Sequence, residues 1–211
     1  ERGNAVFLIL IAVALFAALA HSLTSGSKGS HKLLTIEQAR ITADELIQSG
    51  NSLRPIVDKM ILMGGVLDTD SPAGSGILFN APGAGVAPLT RELFDTAGGN
   101  APYMTPPTQA CNATCAYVFS GQLTLSGVGS NPALVMLLVD IPQLVCQMIN
   151  ANLGQGTTIP TGGALTVVTP FDGTNYGAAT AVTLTTSSHA FCYQEATGAG
   201  RFIYVNVIRS R

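Results

Sequence analysis

Residues 5–23 read AVFLILIAVALFAALAHSL, and this apolar stretch governs how the rest of the chain is interpreted. Between Gly3 and Ser27, the only residue that could carry a charge at neutral pH is His21. A helix over residues 5–23 would be about 28 Å long, close to the roughly 30 Å hydrocarbon thickness of a bilayer. The stretch therefore predicts a hydrophobic helix over residues 1–24, which acts as a membrane anchor or as the core of an assembly.

The apolar stretch also contains small residues at a spacing that favours contact between helices. Ala14 and Ala18 form a small-xxx-small pair, which allows two helix backbones to approach closely. We interpret the stretch as a helix that packs against copies of itself, although a single lipid-facing anchor is the alternative. The candidate assembly residues are Ala5, Phe7, Leu8, Ile11, Ala14, Leu15, Ala18 and Leu19.

Low charge is a property of the whole chain. Charged residues make up 10% of the 211 residues, and the formal net charge is −2, whereas an average soluble protein has about 25% charged residues. A chain without a basic excess is not expected to bind nucleic acid. The deficit continues after residue 23, where Thr, Ser, Ala and Asn occupy the predicted strands. Packing of the domain against copies of itself, or a sheet buried on both faces, would explain it.

A polar segment follows the apolar stretch. Residues 24–30 read TSGSKGS, which is the composition of a flexible linker, so we expect a Gly/Ser hinge over residues 25–34 that breaks the helix. The sequence TIEQ at 35–38 matches a capping box and predicts the start of an amphipathic helix. Polar residues at 49–52 and Pro55 should interrupt this helix, and Gly64-Gly65 should end it.

The remainder of the chain has the pattern of a β-rich domain. Residues 66–110 are rich in Gly and Pro, and we expect few core residues there. A short helix is predicted over 142–153. The strand candidates lie at 116–127, 132–141, 164–170, 181–186, 189–195 and 201–210. The predicted fold class is α+β: a long N-terminal hydrophobic helix, broken by the hinge, then an amphipathic helix packed on an antiparallel β-sheet, with residues 35–211 as the globular domain.

The chain contains four cysteines, Cys111, Cys115, Cys146 and Cys192. An even number of cysteines after an apolar segment predicts an oxidising compartment and two disulfides. Three pairings are possible, and we favour Cys111–Cys115 together with Cys146–Cys192, which would tie the short helix to a C-terminal strand. A zinc site is the alternative, although structural zinc sites usually have two closely spaced ligand pairs.

The sequence contains no recognisable catalytic motif. Gly-x-Ser-x-Gly, the Walker A loop and His-Glu-x-x-His are all missing from it, and the carboxylates are few and scattered. We therefore expect a protein that is not an enzyme and that has no cofactor or metal. Two short patterns stay open: a glycosylation sequon at Asn112, and Asp68 and Asp70 in a turn that could bind calcium.

The order of elements resembles the type IV pilin family and its pseudopilin relatives. The resemblance rests on a short polar start, a retained apolar helix, a following amphipathic helix and a cysteine-bearing β-rich C-terminal part. In that family a leader is cut just before the apolar helix, which first holds the subunit in the inner membrane and then packs in the filament core. Mature pilins carry an aromatic first residue and a glutamate at the fifth position. This chain has Glu1 and Ala5 there, so Glu1 is the candidate for pairing with a neighbour's terminal amine.

The resemblance implies a structural subunit of an extracellular filament at the cell surface, with a membrane-anchored precursor pool. Its implied partners are copies of itself in a helical homopolymer and, before assembly, inner-membrane lipid. Two alternatives accompany this interpretation. One is a pseudopilin-like component of a secretion system, and the other is a single-anchor membrane protein with an extracytoplasmic binding domain.

Overall fold

The structure is a computed structural model, and it describes residues 3–68, 74–85, 87–113, 115–165, 170–174, 176–177, 180–183, 188–196 and 200–211. Within these ranges, the side chains of residues 3–10, 14, 16–34 and 180–183 are outside the description. Contacts between Cα atoms divide the chain into two units, Glu1–Gln38 and Ala39–Arg211.

The first helix, α1, extends from Gly3 to Met63. Its backbone is helical through residues 24–30, so the predicted break at a hinge over residues 25–34 is wrong. Glycine and serine disfavour a helix by only about 0.5–1 kcal/mol each, and extending an existing helix adds one hydrogen bond per residue, so long flanking helices can carry such a segment.

The predicted membrane-spanning helix over residues 1–24 also requires correction. Within the described part of the chain, no helix has both the length and the hydropathy needed to cross a membrane.

In the second unit, α1 packs with one apolar stripe on a β-sheet. Ala39, Ala43, Leu46, Leu53 and Val57 are buried at helical spacing, as the sequence predicts. Residues 49–52 and Pro55 do not interrupt the helix, because the stripe keeps the same face on both sides of them. The helix ends before Gly64, and Gly65 has a φ of +65°, a left-handed conformation typical of helix termination.

The described residues form one six-stranded sheet with the spatial order β3-β5-β6-β2-β1-β4. Helix α2, Gln143–Asn152, follows β2 in the chain. The strands are β1 Val118–Ser126, β2 Ala133–Ile141, β3 Thr161–Gly162, β4 Thr180–Thr183, β5 Ala190–Glu195 and β6 Phe202–Arg209. The sheet curls, so that Cα atoms of its two outer strands, β3 and β4, come within 8 Å of each other.

The predicted antiparallel sheet is wrong in part, because the sheet is mixed. The pairs β1–β2, β2–β6 and β5–β6 are antiparallel. The pairs β1–β4 and β3–β5 are parallel. Parallel pairs need a crossover connection rather than a hairpin, and strand periodicity alone does not reveal the direction of pairing.

Both faces of the sheet are buried. One face carries residues such as Leu134, Met136 and Tyr204, and it packs in a common core with α1 and α2. The other face carries residues such as Val135 and Phe191 in a second apolar cluster. Two-sided burial is one of the two explanations for strands without charge, so low charge in the strands is no longer an argument for packing of the domain against copies of itself.

The Gly- and Pro-rich segment 66–110 contributes more to the core than predicted. Ile77, Leu78, Leu93 and Phe94 are buried there. Bridges between backbone segments, including Leu78 with Glu92, hold the segment in place. The expectation of few core residues is therefore wrong, because isolated apolar pairs among turn residues are enough to fold the segment onto α1 and the sheet.

Candidate assembly site

Three large apolar side chains of α1 are exposed in the N-terminal unit. The exposed fractions are 42% for Ile11, 61% for Val13 and 63% for Leu15. Ile11 and Leu15 are four residues apart, so they lie on the same face of the helix. An apolar face of this kind gains free energy when another apolar surface removes it from water.

The structure describes the side chains of only some of the predicted assembly residues. Of these residues, Ile11 and Leu15 have described side chains, and both are exposed. Val13 was not among the predicted residues, although the same apolar run contains it. Glu1 lies outside the described residues. The structure also does not describe the side chains of the remaining predicted residues, which are Ala5, Phe7, Leu8, Ala14, Ala18 and Leu19.

A second apolar surface lies at the C-terminal end of α1. Leu62 is 82% exposed and Met63 is 80% exposed. Beside them is a groove of about 270 Å³. Its lining residues are Ile56, Lys59, Met60, Met63, Gly64, Val66, Thr90, Ala97, Gly98 and Gly99. The sequence signal that could have identified this surface is Leu62, an apolar residue that lies off the buried stripe of α1.

A buried polar cluster fixes α1 to β6. The hydroxyl of Tyr204 donates to the carbonyl oxygen of Leu46 at 3.0 Å. The side-chain amide of Asn206 donates to that hydroxyl at 3.1 Å and to Oδ1 of Asn51 at 3.3 Å. Burial raises the pKa of Tyr204, and the hydrogen bond from Asn206 opposes this only partly. Tyr204 is therefore a neutral donor at physiological pH, and the cluster has a positioning role.

Both favoured disulfides are present in the structure. Cys111 and Cys115 are bonded, with Cα atoms 6.2 Å apart, and Cys146 and Cys192 are bonded, with Cα atoms 5.3 Å apart. The second bond joins α2 to β5, as predicted. All four sulfur atoms are used in disulfides, so the zinc alternative has no thiolate ligands left.

A buried asparagine completes the hydrogen bonding of β5 next to the second disulfide. The Nδ2 atom of Asn150 donates to the carbonyl oxygen of Cys192 at 2.9 Å, and the backbone N–H of Cys192 donates to Oδ1 of Asn150 at 2.7 Å. Neither residue is exposed to solvent. A side-chain amide therefore takes the place of a neighbouring strand at this point of the sheet.

An ion pair with a buried carboxylate and a partly exposed guanidinium links the end of β5 to the start of β6. Glu195 accepts hydrogen bonds from Nε of Arg201 at 2.8 Å and from Nη2 of Arg201 at 3.0 Å. It also accepts a hydrogen bond from the backbone N–H of Leu165 at 2.9 Å. Burial raises the pKa of Glu195, but the hydrogen bonds from Arg201 and Leu165 outweigh it, so the net shift lowers the pKa.

The calcium-binding candidate at Asp68 and Asp70 and the glycosylation sequon at Asn112 lie in different surroundings. Asp68 accepts a hydrogen bond from Nε of Arg209 at 3.1 Å, so a cation already pairs with this carboxylate, while Asp70 lies outside the described residues. The side-chain amide of Asn112 is exposed and donates to Oδ1 of Asp140 at 3.1 Å. The described residues contain no group of three or more His, Cys, Asp or Glu side chains that could hold a metal ion.

In the described part of the chain, α1 exposes large apolar side chains that could take part in contacts with other molecules: Ile11 and Leu15 on one face, Val13 on another, and Leu62 and Met63 at its C-terminal end. These exposed apolar side chains are the observations from which a function can be inferred. Comparison with protein-family models, with curated proteins and with solved structures found no match to the chain.

Proposed function

We propose that this chain is a structural subunit of an extracellular filament, resembling the type IV pilins, and that copies of it assemble through the apolar part of α1. The observation that carries the proposal is the exposure of Ile11, Val13 and Leu15 in a stretch without charged residues from Gly3 to Ser27. A monomer gains nothing from such a surface in water, whereas an assembly of helices buries it.

Burial of this surface would contribute free energy to each repeating contact of an assembly. Full burial of an aliphatic side chain is worth about 1.5–3 kcal/mol. With 42% of Ile11 and 63% of Leu15 still exposed, complete burial would add about 1 kcal/mol for each of them. In a polymer the same gain recurs at every subunit, and further apolar residues of the stretch would add to it.

The disulfides support an extracellular location for the filament. Both pairs of cysteines are oxidised, and such bonds persist in oxidising compartments outside the cytosol. Cys146 and Cys192 are completely buried, so their bond stabilises the globular unit itself. A subunit exposed on a cell surface benefits from this covalent link, since it has to stay folded outside the cell.

The experiment compares two charged substitutions in the full chain by electron microscopy of sheared cell-surface material. Leu15→Glu places a carboxylate on the proposed assembly face. Ile41→Glu is the matched control, because Ile41 is also an exposed aliphatic residue of α1 but lies outside the apolar stretch and outside the surface at Leu62 and Met63. We expect Leu15→Glu to abolish filaments, and Ile41→Glu to retain them. Filaments in normal number from Leu15→Glu would refute assembly through this helix, provided that both variants accumulate to wild-type levels.

A further inference from the structure

We propose that the Cys111–Cys115 bond is an exchange-reactive disulfide, open to attack by an external thiol, and that Cys146–Cys192 is the permanent structural bond of the domain. The proposal is independent of filament formation. It rests on how the two bonds differ in exposure and on what holds the short loop in place.

Access separates the two disulfides. Cys111 and Cys115 are each half-buried and together line a cavity of about 320 Å³. This volume lies within the roughly 300–1,000 Å³ range of small-molecule sites, so the cavity has room for a small thiol beside the Cys111–Cys115 bond. Cys146 and Cys192 are both 0% exposed within the common core of α1, α2 and the sheet. A thiol can reach them only after local unfolding.

The walls of the cavity suit a thiol reagent of small size. Besides the two cysteines, the cavity is lined by Pro106, Pro107, Thr108, Asn112 and Ala113. None of these side chains carries a charge, and the nearby carboxylate of Asp140 accepts a hydrogen bond from the side-chain amide of Asn112. The rate of exchange depends on access to the sulfur atom and on the properties of the attacking thiolate. With an uncharged lining, we expect the size and the thiolate fraction of the reagent to determine the rate.

The reaction is a balanced two-step exchange with a dithiol. The first thiolate of the dithiol attacks one sulfur of the Cys111–Cys115 bond, forms a mixed disulfide and releases the other cysteine as a thiolate, which takes up a proton. The second thiol of the reagent then attacks the mixed disulfide and displaces the remaining cysteine. The products are two protein thiols and the oxidised, cyclic form of the reagent, so the protein gains the two electrons that the reagent loses.

Hydrogen bonds that do not involve the sulfur atoms also hold the loop, and on this proposal they would keep it in position when the bond is open. The backbone N–H of Asn112 donates to the carbonyl oxygen of Asp140 at 3.0 Å, and the Asn112 side-chain amide donates to Oδ1 of Asp140 at 3.1 Å. Asp140 has a φ of +63° at a register shift at the end of β2. The loop is therefore tied to a fixed point of the sheet by bonds that do not depend on the disulfide.

The test uses the purified, fully oxidised chain with increasing concentrations of dithiothreitol under native conditions. Free thiols are trapped with N-ethylmaleimide, and the adducts are located by peptide mass spectrometry. We expect Cys111 and Cys115 to be labelled at least about tenfold faster than Cys146 and Cys192, because the buried bond must wait for local opening. Equal rates, a faster reaction at Cys146–Cys192, or no reaction at Cys111–Cys115 until denaturant is added would each overturn the proposal.

A double variant serves as the matched control. Replacing both loop cysteines by alanine (C111A/C115A) removes the reactive bond and retains the buried one. Under the conditions that label the wild-type chain with two adducts, this variant is expected to remain unlabelled. Rapid labelling of the variant at Cys146 and Cys192 would show that the buried bond is accessible in the folded chain, which also contradicts the proposal.

Discussion

Substitution of Asn150 by alanine is expected to destabilise the globular unit strongly. Asn150 makes two hydrogen bonds to the backbone of Cys192, and both residues are fully buried. Alanine would leave an N–H and a C=O group of β5 without a partner in a site that solvent does not reach. Each such group costs about 1–3 kcal/mol, so we expect a loss of about 3–4 kcal/mol in the free energy of unfolding.

The assay is equilibrium unfolding of the oxidised chain in urea, followed by circular dichroism. With a slope of roughly 2 kcal/mol per molar urea, the expected loss moves the midpoint down by about 1.5–2 M. Asn152→Ala is the matched control, because it changes the same residue type in the same helix. The Asn152 side-chain amide donates to Oδ1 of Asp44 at 2.7 Å, but Asn152 is exposed, so its loss should cost less than about 0.5 kcal/mol.

The comparison of the two variants decides the question. If Asn150→Ala and Asn152→Ala lower the midpoint equally, the side-chain amide of Asn150 does not replace a strand at β5. A second variant, Asn150→Asp, keeps the shape and the acceptor atom but removes the donor to the carbonyl oxygen of Cys192. We expect it to be at least as destabilised as the alanine variant at neutral pH, because a carboxylate would then be buried beside a carbonyl oxygen.

Two further predictions concern the ion pair and the contact between α1 and β6. The pKa of Glu195 is lowered in the folded state, so its contribution to stability is present above the unfolded-state value of about 4.3 and is lost as the pH falls through the folded-state pKa. Glu195→Gln should therefore be less stable than wild type at pH 7 and approach it at pH 3 in urea titrations, whereas a constant difference would contradict this. A Cβ on Gly50 would collide with the side chain of Asn206, so Gly50→Ala should cost about 1–3 kcal/mol. The double variant with Asn206→Ala should recover part of that loss, and strict additivity of the two losses would rule out the collision.

Features encoded by local spacing were predictable from the sequence. The apolar stripe of α1 in the second unit, helix α2 and the pairing of Cys146 with Cys192 each follow from residues close in the chain or from a small number of alternatives. Four cysteines allow three pairings, and the short spacing of Cys111 and Cys115 favoured the observed one. Predictions of this kind succeed because a helix repeats its apolar residues at a fixed spacing and because four cysteines allow only a few pairings.

Features that depend on distant neighbours were not predictable. The parallel pairing of β1 with β4 depends on a long crossover, and the strand pattern is the same for either direction. The two-residue strand β3 is too short to produce a periodic signal. The continuity of α1 through residues 24–30 is a property of the whole helix, whereas the local composition of that segment favours a break.

The candidate site shows the same division. The apolar stretch led to the choice of Ile11 and Leu15 as assembly residues, and that choice stays a prediction, whereas the exposed apolar residues Leu62 and Met63 were missed. A residue off the buried stripe is normally polar, so Leu62 was a usable signal. The difference between an accessible and an enclosed disulfide could not be seen in the sequence, because it depends on which elements cover each bond.

The amide groups that complete β5 have a consequence for how this chain can associate with others. The Asn150 side chain occupies both backbone groups of Cys192, and the side-chain amide of Gln155 donates to the carbonyl oxygen of Ala190 at 2.8 Å. A strand from another molecule would find no free donor or acceptor along this stretch, so growth by β-strand addition is blocked there. For a protein proposed to polymerise, this protects one stretch of the sheet from strand addition, so an assembly would have to form through other surfaces.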